Sequence, residues 1–340
     1  MNLPGLDLPA LELYLGATVT DLAGPLTATL ITGGKSNLTY ALSDGEHRWV
    51  LRRPPLGPLT PSAHDMAREY RVLDALQSTA VPVARTVALC EDTDVIGVPF
   101  GVVSFVQGRT LQDGADAETL TTAQAAACAD ALIDTLVSLH SVAHEEVGLG
   151  DFGRSEGFLA RQVKRWRGQW DRVATRELED LQQLHALLAE SVPVHSGTGI
   201  VHGDYRLDNT ILDSADPGRV RAVVDWEMAT IGDPLADLGL LMVYWDPVTE
   251  PVLGVRHAPT ANIGFPSADA LAQRYAGATG ADLEALAFYR ALGFFKIAVI
   301  AEGIHQRYLA GKTVGPGFDK VGTAVPELLA AGLSMIGAVR

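Results

Sequence analysis

Cysteine is scarce: Cys90 and Cys128 are the only two in 340 residues, far apart and outside any paired metal-ligand or redox spacing. That excludes a disulfide framework, and a reducing cytoplasm is the expected compartment. Long apolar runs are missing too. The N-terminal "MNLPGLDLPALELYLG" has no basic start and carries Asp7 and Glu12 among its apolar residues, so it fits neither a signal peptide nor a membrane span. Charge interrupts "GFFKIAVIAEG" well before the roughly 20 residues a bilayer needs. No membrane partner is expected. A basic excess is also absent: the formal net charge is −15, which argues against a nucleic-acid partner because phosphate backbones are bound by basic surface. Neither a zinc centre nor a covalent hydrolase is expected.

One familiar fragment lacks its other half. Gly34-Lys35-Ser36 in "ITGGKSN" spells the end of a P-loop, but Thr29 stands where that loop needs its first glycine. A P-loop is excluded.

What the sequence does have is 47% hydrophobic content, enough for a large core in about two lobes. "LTATLIT", "LTYAL" and "RWVLRR" read as three strands of an antiparallel meander, with "SDGE" as the turn between the last two. "PSAHDMAREYRVLDALQ" follows as a helix with Ser62 as its N-cap, and "RTVALC" and "PFGVVSFV" resume the strand pattern around a turn at Asp92 to Gly97. Five strands with one helix after the third make a first lobe over residues 1–106, ending near Val106-Gln107-Gly108. Residues 107–340 read as a larger, mainly helical lobe. The stripe Leu159, Val163, Trp166 and Trp170 is expected to be core. Asp151-Phe152-Gly153 is expected to be a turn before the next helix.

"GIVHGDYRLDNTILDSADPGRVRAVVDWEMATIGDPLADLG" alone combines buried-strand character, turn chemistry and clustered acids. "TILD" and "RVRAVVD" around "SADPG" form a β-hairpin, so its outer ends, Asn209 and Asp225, are expected within about 5 Å of each other. Oxygen ligands of this kind suit Mg²⁺, which is held by one or two protein groups plus phosphate oxygens. Asp204 then stands near that metal, facing a substrate.

His202-Gly203-Asp204, Asn209 and Asp225 resemble the H-G-D-x-x-x-x-N and downstream Asp of the aminoglycoside phosphotransferase and choline kinase superfamily, relatives of protein kinases. In texture, "HGDYRLDN", "RQVKRW" and "FKIAVIAEGIHQRYLAG" are most similar to the kinase-like domain fused to acyl-CoA dehydrogenases. The resemblance implies an α+β, bilobal, protein-kinase-like fold and ATP- and Mg²⁺-dependent transfer of a phosphate to a small-molecule hydroxyl. It makes Asp204 the catalytic aspartate that receives or orients the acceptor hydroxyl. Arg206 takes the place of a kinase-loop lysine near the transferred phosphate, and Asn209 and Asp225 are metal ligands. His202 is implied to be a structural loop histidine, and Asp237 to tie the catalytic loop down. On the third strand, Arg52 or Arg53 corresponds to the cation on the α- and β-phosphates. Arg52 is the choice, sharing a strand face with Val50, and Glu69 is its ion-pair partner. Backbone groups of Ser104 and Val106 are expected at the nucleobase. "ITGGKSN" becomes a flap over the phosphates, with Gly33 and Gly34 allowing close approach and Ser36 and Asn37 supplying donors.

The acceptor is less defined. The last ninety residues hold six acids and eight bases, so this segment shows no focusing of a polycation. A neutral or anionic hydroxylated metabolite such as a hydroxyacyl compound is preferred over an aminoglycoside, and a catalytically silent nucleotide-binding scaffold is the reading from another class.

Overall fold

The computed structural model describes residues 3–19, 22–31, 37–57, 65–313 and 317–337. It divides into two compact units, Met1–Gly108 with Arg221–Ala229, and Arg109–Val220 with Thr230–Arg340. Of the expected flap, Gly33, Gly34, Lys35 and Ser36 lie outside the described residues, as does Ser62.

The first unit opens with a helix, α1 (Leu8–Thr18), where the sequence reading left a leader without assigned structure. Its start signals are ordinary: the Asp7 side chain accepts from the Ala10 amide and Pro9 sits in the first turn. Strands β1 (Thr27–Leu30), β2 (Leu38–Ser43) and β3 (Arg48–Arg53) form the meander. Next come α2 (Met66–Leu76), β4 (Thr86–Cys90), the single turn α3 (Thr93–Ile96) and β5 (Phe100–Ser104). The sheet is antiparallel in the order β1-β2-β3-β5-β4. Helix α2 is capped by Asp65, not by Ser62, because the Asp65 carboxylate takes the Arg68 amide at 2.9 Å. Leu11 and Leu15 of α1 join Tyr40, Leu42, Trp49, Leu51, Phe100 and Val102 in one apolar core. Burial alternates along β3, with Trp49, Leu51 and Arg53 inward and Val50 and Arg52 on the other face.

The second unit is mainly helical. It runs through α4 (Gly114–Glu118), α5 (Thr122–His140), α6 (Phe158–Val173) and α7 (Glu179–Glu190) to the short strands β6 (Gly199–Val201) and β7 (Thr210–Leu212). Strand β8 (Val220–Val223) follows the turn, and its residues from Arg221 on belong to the first unit. Then come β9 (Thr230–Gly232), antiparallel to β6, and α8 (Leu235–Tyr244), the single turn α9 (Glu250–Leu253), α10 (Ala268–Thr279), α11 (Leu286–Leu309) and α12 (Val321–Gly337). Leu159, Val163, Trp166 and Trp170 are buried on α6 as the stripe requires.

Helix α11 is the hub, packed against α6, α7, α8 and α12. Its approach to α8 depends on two glycines. A Cβ on Gly239 would lie 2.6 Å from the Tyr289 side chain and one on Gly293 2.9 Å from Val243. This close crossing fixes α8 and α11 beside the loop between β6 and β7. Among the described residues, no helix is long and apolar enough to cross a membrane.

Candidate active site

In the first unit, one guanidinium gathers three carboxylates. Arg52 reaches Glu69 Oε1 through Nη1 at 3.0 Å and Asp225 Oδ1 through Nη2 at 2.8 Å. Glu227 acts on the same group, and its Oε2 accepts from Asn37 Nδ2 at 3.2 Å. Burial alone would lower the Arg52 pKa, but Glu69, Asp225 and Glu227 outweigh it and hold the side chain charged. Burial pushes Glu69 up to about 7, with Asp225 and Glu227 adding to the effect and Arg52 opposing it. Glu69 Oε2 and Arg52 Nε are buried without a hydrogen-bond partner. Three acids therefore surround one base, with an unpartnered carboxylate oxygen and an unpartnered guanidinium N–H buried among them.

Asp225 has φ 68, the only positive φ at a non-glycine residue among those described. Aspartate tolerates that conformation better than most residues, and strain of this kind clusters at functional positions. Arg53 faces the other way: its Nε bonds the Pro54 carbonyl and its Nη1 the Gly5 carbonyl. The strand alternation therefore separates the two arginines as expected. At the end of β5, the Ser104 amide donates to the Arg85 carbonyl at 2.8 Å. That N–H is therefore committed within the sheet, and Val106 lies in the irregular chain that follows.

In the second unit, "VHGDYRLDN" forms the loop between β6 and β7, and Asn209 closes a 3-10 turn (Leu207–Asn209) just before β7. Gly203 turns the chain at φ 82, a left-handed conformation suited to glycine. Asp237 on α8 holds this loop: its Oδ2 accepts the His202 amide at 2.7 Å and its Oδ1 the Gly203 amide at 2.8 Å. His140 Nε2 approaches the same carboxylate at 3.4 Å. His202 is buried and its Nδ1 accepts the Asp204 amide at 3.2 Å, so it acts on the backbone. Tyr205 anchors the loop on the Leu132 carbonyl at 2.7 Å.

Asp204 is surrounded by donors. Tyr244 Oη donates to Oδ1 at 2.5 Å, while Asn209 Nδ2 donates to Oδ2 at 3.1 Å and to the Asp204 carbonyl at 2.9 Å. Arg206 Nε lies 3.5 Å from Oδ2, and its Nη2 pairs with Asp208 at 3.0 Å. The Arg206 guanidinium also lies over the Tyr244 ring, 5.1 Å from its centroid. Lys296 of α11 donates to the Gly203 carbonyl and sits 5.3 Å from the Trp166 ring centroid. Burial works against charge on Asp204, but Arg206, Lys296 and Tyr244 outweigh it and hold the carboxyl below its usual range. Burial likewise pulls Lys296 down, against Asp204 and Asp237. The Tyr244 phenol is pushed well above its ordinary value by burial and by Asp204, so it remains a donor.

Sequence reading did not single out Tyr244, Lys296, His140 or Glu227 for this site. Lys296 carried a signal, a lone cation inside an apolar helical run. Two spacings that count against the expected absence of a zinc centre and of a covalent hydrolase are present in the sequence. His140 and His144 stand four apart, but α5 ends at His140. Among the described residues, no three His, Cys, Asp or Glu side chains converge as a metal cage. Gly153 to Gly157 spells G-x-S-x-G, but Ser155 lies in a turn leading into α6 without the strand a nucleophile elbow needs. The Asp151-Phe152-Gly153 triplet is part of the same turn, with Phe152 buried.

The signature described as "Phosphotransferase enzyme family" matches residues 27–289. Human acyl-CoA dehydrogenase family member 11 is 35% identical over 337 residues, which is 97% of this chain and 43% of that protein. The chain thus spans less than half the length of this curated relative. A Ralstonia eutropha protein provisionally assigned as an aminoglycoside phosphotransferase superposes with TM-score 0.83 and 32% identity over 98% of both chains. A thermostable mutant of another aminoglycoside phosphotransferase, in ternary complex with ADP and hygromycin B, shares the fold at TM-score 0.60. It is 16% identical and covers 97% of this chain and 98% of its own.

Proposed function

This chain belongs to the phosphotransferase enzyme family as a small-molecule kinase, and we propose that it moves the γ-phosphate of ATP, with Mg²⁺, onto a hydroxyl of a neutral or anionic metabolite such as a hydroxyacyl compound. One observation carries the reading. Asn209 commits its Nδ2 to the Asp204 carboxylate and carbonyl, leaving Oδ1 as the atom that can serve a metal. The residue assigned to the acceptor and a residue assigned to the metal are thereby hydrogen-bonded to each other within the loop between β6 and β7.

The donor set fits Mg²⁺. Oxygen from Asn209 and carboxylate oxygen from Asp225 are hard ligands of the right kind, and the crowd of carboxylates around Arg52 favours a cation. When bound, Mg²⁺ would neutralise phosphate charge as it develops in transfer. The remaining roles belong to the chain. Arg52, kept charged by Glu69 and Asp225, grips the nucleotide phosphates. Asn37, tied to Glu227, anchors the end of the phosphate flap to which Gly33, Gly34 and Ser36 are assigned. Val106 and the Ser104 carbonyl serve the base. Asp204, held ionised, accepts a hydrogen bond from the acceptor hydroxyl and orients its lone pair. Arg206 stands beside it to stabilise the transferring phosphate. Positioning and charge neutralisation of this kind carry most of phosphoryl transfer.

The acceptor preference draws support from Lys296 and Arg206. They offset the charge of Asp204 and Asp208, so this loop offers no net acidic focus for a polycationic antibiotic, which favours a neutral or anionic acceptor. The two free, buried cysteines agree with a reducing cytoplasm as the working compartment. Residues 1–106 are assigned to the nucleotide and 107–340 to catalysis and the acceptor.

A coupled ADP-release screen over hydroxyacyl-CoA compounds, sugars, choline and aminoglycosides tests the reading. Mg²⁺-dependent release with a hydroxyacyl acceptor is expected. Turnover of kanamycin-type antibiotics alone would overturn the acceptor, and silence with every class would leave a nucleotide-binding scaffold.

A further inference from the structure

The carboxylate that is to orient the acceptor already holds a hydroxyl. Tyr244 Oη donates to Asp204 Oδ1 at 2.5 Å, the hydrogen bond an acceptor alcohol would make. The other carboxylate oxygen is taken by Asn209 Nδ2, with Arg206 at 3.5 Å. Tyr244 is not a loose surface group. It is the last residue of α8, the helix whose Asp237 holds the amides of His202 and Gly203, so the phenol and the loop are fixed by one element. The residue is 9% exposed, and the Arg206 guanidinium lies over its ring.

We propose that Tyr244 is an internal stand-in for the acceptor hydroxyl, which occupies Oδ1 of the partly exposed Asp204 side chain until a true acceptor displaces it and so suppresses ATP hydrolysis. The inference rests on the reading of Asp204 given above. A kinase faces a general hazard: water is a hydroxyl donor at very high concentration, and a carboxylate that orients an alcohol orients water equally well. In that side reaction the water oxygen bonds to the γ-phosphorus and the bond to the β,γ-bridging oxygen breaks. The water proton passes to the Asp204 carboxylate, and ADP and inorganic phosphate leave. A phenol bonded to Oδ1 fills the seat from which water would attack. It is also a weaker nucleophile than an alcohol, because the lone pair of a neutral phenol is delocalised into its ring, and that ring is carried by α8 with the Arg206 guanidinium over it. A matched acceptor brings binding energy that water lacks, and that energy can displace Oη.

The test is ADP and phosphate release by the intact protein with ATP and Mg²⁺ and no acceptor, comparing wild type, Tyr244→Phe and Asp204→Ala. Tyr244→Phe keeps the ring and removes only Oη, leaving Oδ1 open to water. Acceptor-free hydrolysis is expected to rise about 10-fold or more, a rise that need reach only part of the roughly 10²–10⁴-fold a positioned proton acceptor contributes. The double variant Tyr244→Phe with Asp204→Ala should lose that gain. An increase in activity cannot arise from a folding defect. Unchanged or reduced acceptor-free hydrolysis in a Tyr244→Phe protein that still phosphorylates an acceptor would overturn the inference while leaving the kinase reading intact. If acceptor phosphorylation survives Asp204→Ala, the kinase reading of that residue fails and the inference fails with it.

Discussion

Replacing Asp237 by asparagine changes almost nothing in volume but removes one of two acceptors on a fully buried side chain. Asp237 Oδ2 takes the His202 amide at 2.7 Å and Oδ1 the Gly203 amide at 2.8 Å. Asparagine offers one oxygen, and its NH₂ group must face a second N–H, so one buried amide loses its partner. A stranded buried donor costs about 1–3 kcal/mol, a large share of a typical stability of about 5–15 kcal/mol. His140, at 3.4 Å from Oδ2, loses a charged neighbour as well. Urea unfolding of Asp237→Asn should therefore show a loss of about 1–3 kcal/mol, and hydrogen exchange should speed up at the amides of His202 and Gly203. A loss under about 0.5 kcal/mol, the level of an ordinary surface change, with unaltered exchange would refute the bracing role.

Glu69 gives a pH signature. Its folded pKa is raised to about 7 from 4.5, so the native state binds the extra proton between those values. The associated stability is complete below the lower value and is lost as pH rises through about 7. Nucleotide-free protein should lose stability across that window more steeply than Glu69→Gln, and parallel profiles would contradict the assignment. Asp225→Ala should weaken nucleotide binding mainly when Mg²⁺ is present, as read by calorimetry with and without EDTA. Equal weakening in both conditions would argue against metal ligation.

Much of the architecture was legible because its signals are local. The alternation of β3 separates Arg52 from Arg53, and the four-three-four spacing of α6 marks its buried stripe. Helix α1 was missed although Asp7 and Pro9 announce it, because Leu13 is exposed between the buried Leu11 and Leu15 and blurs the apolar face. The cap of α2 was misplaced by three residues because serine and aspartate cap equally well and propensity does not choose between them. Tyr244 and Lys296 were invisible for a different reason. They meet the loop between β6 and β7 across 40 and 93 residues of chain, through the tight α8–α11 crossing at Gly239 and Gly293, and no short-range pattern encodes such a meeting. Lys296 also lies in a helix so apolar that it reads as core.

Asp204 carries the central claim, and one preparation of Asp204→Ala tests it most directly. Calorimetry should show ATP·Mg²⁺ binding close to that of wild type, while acceptor-dependent ADP release falls to background. If nucleotide binding disappears together with transfer, or if transfer persists, Asp204 does not orient the acceptor.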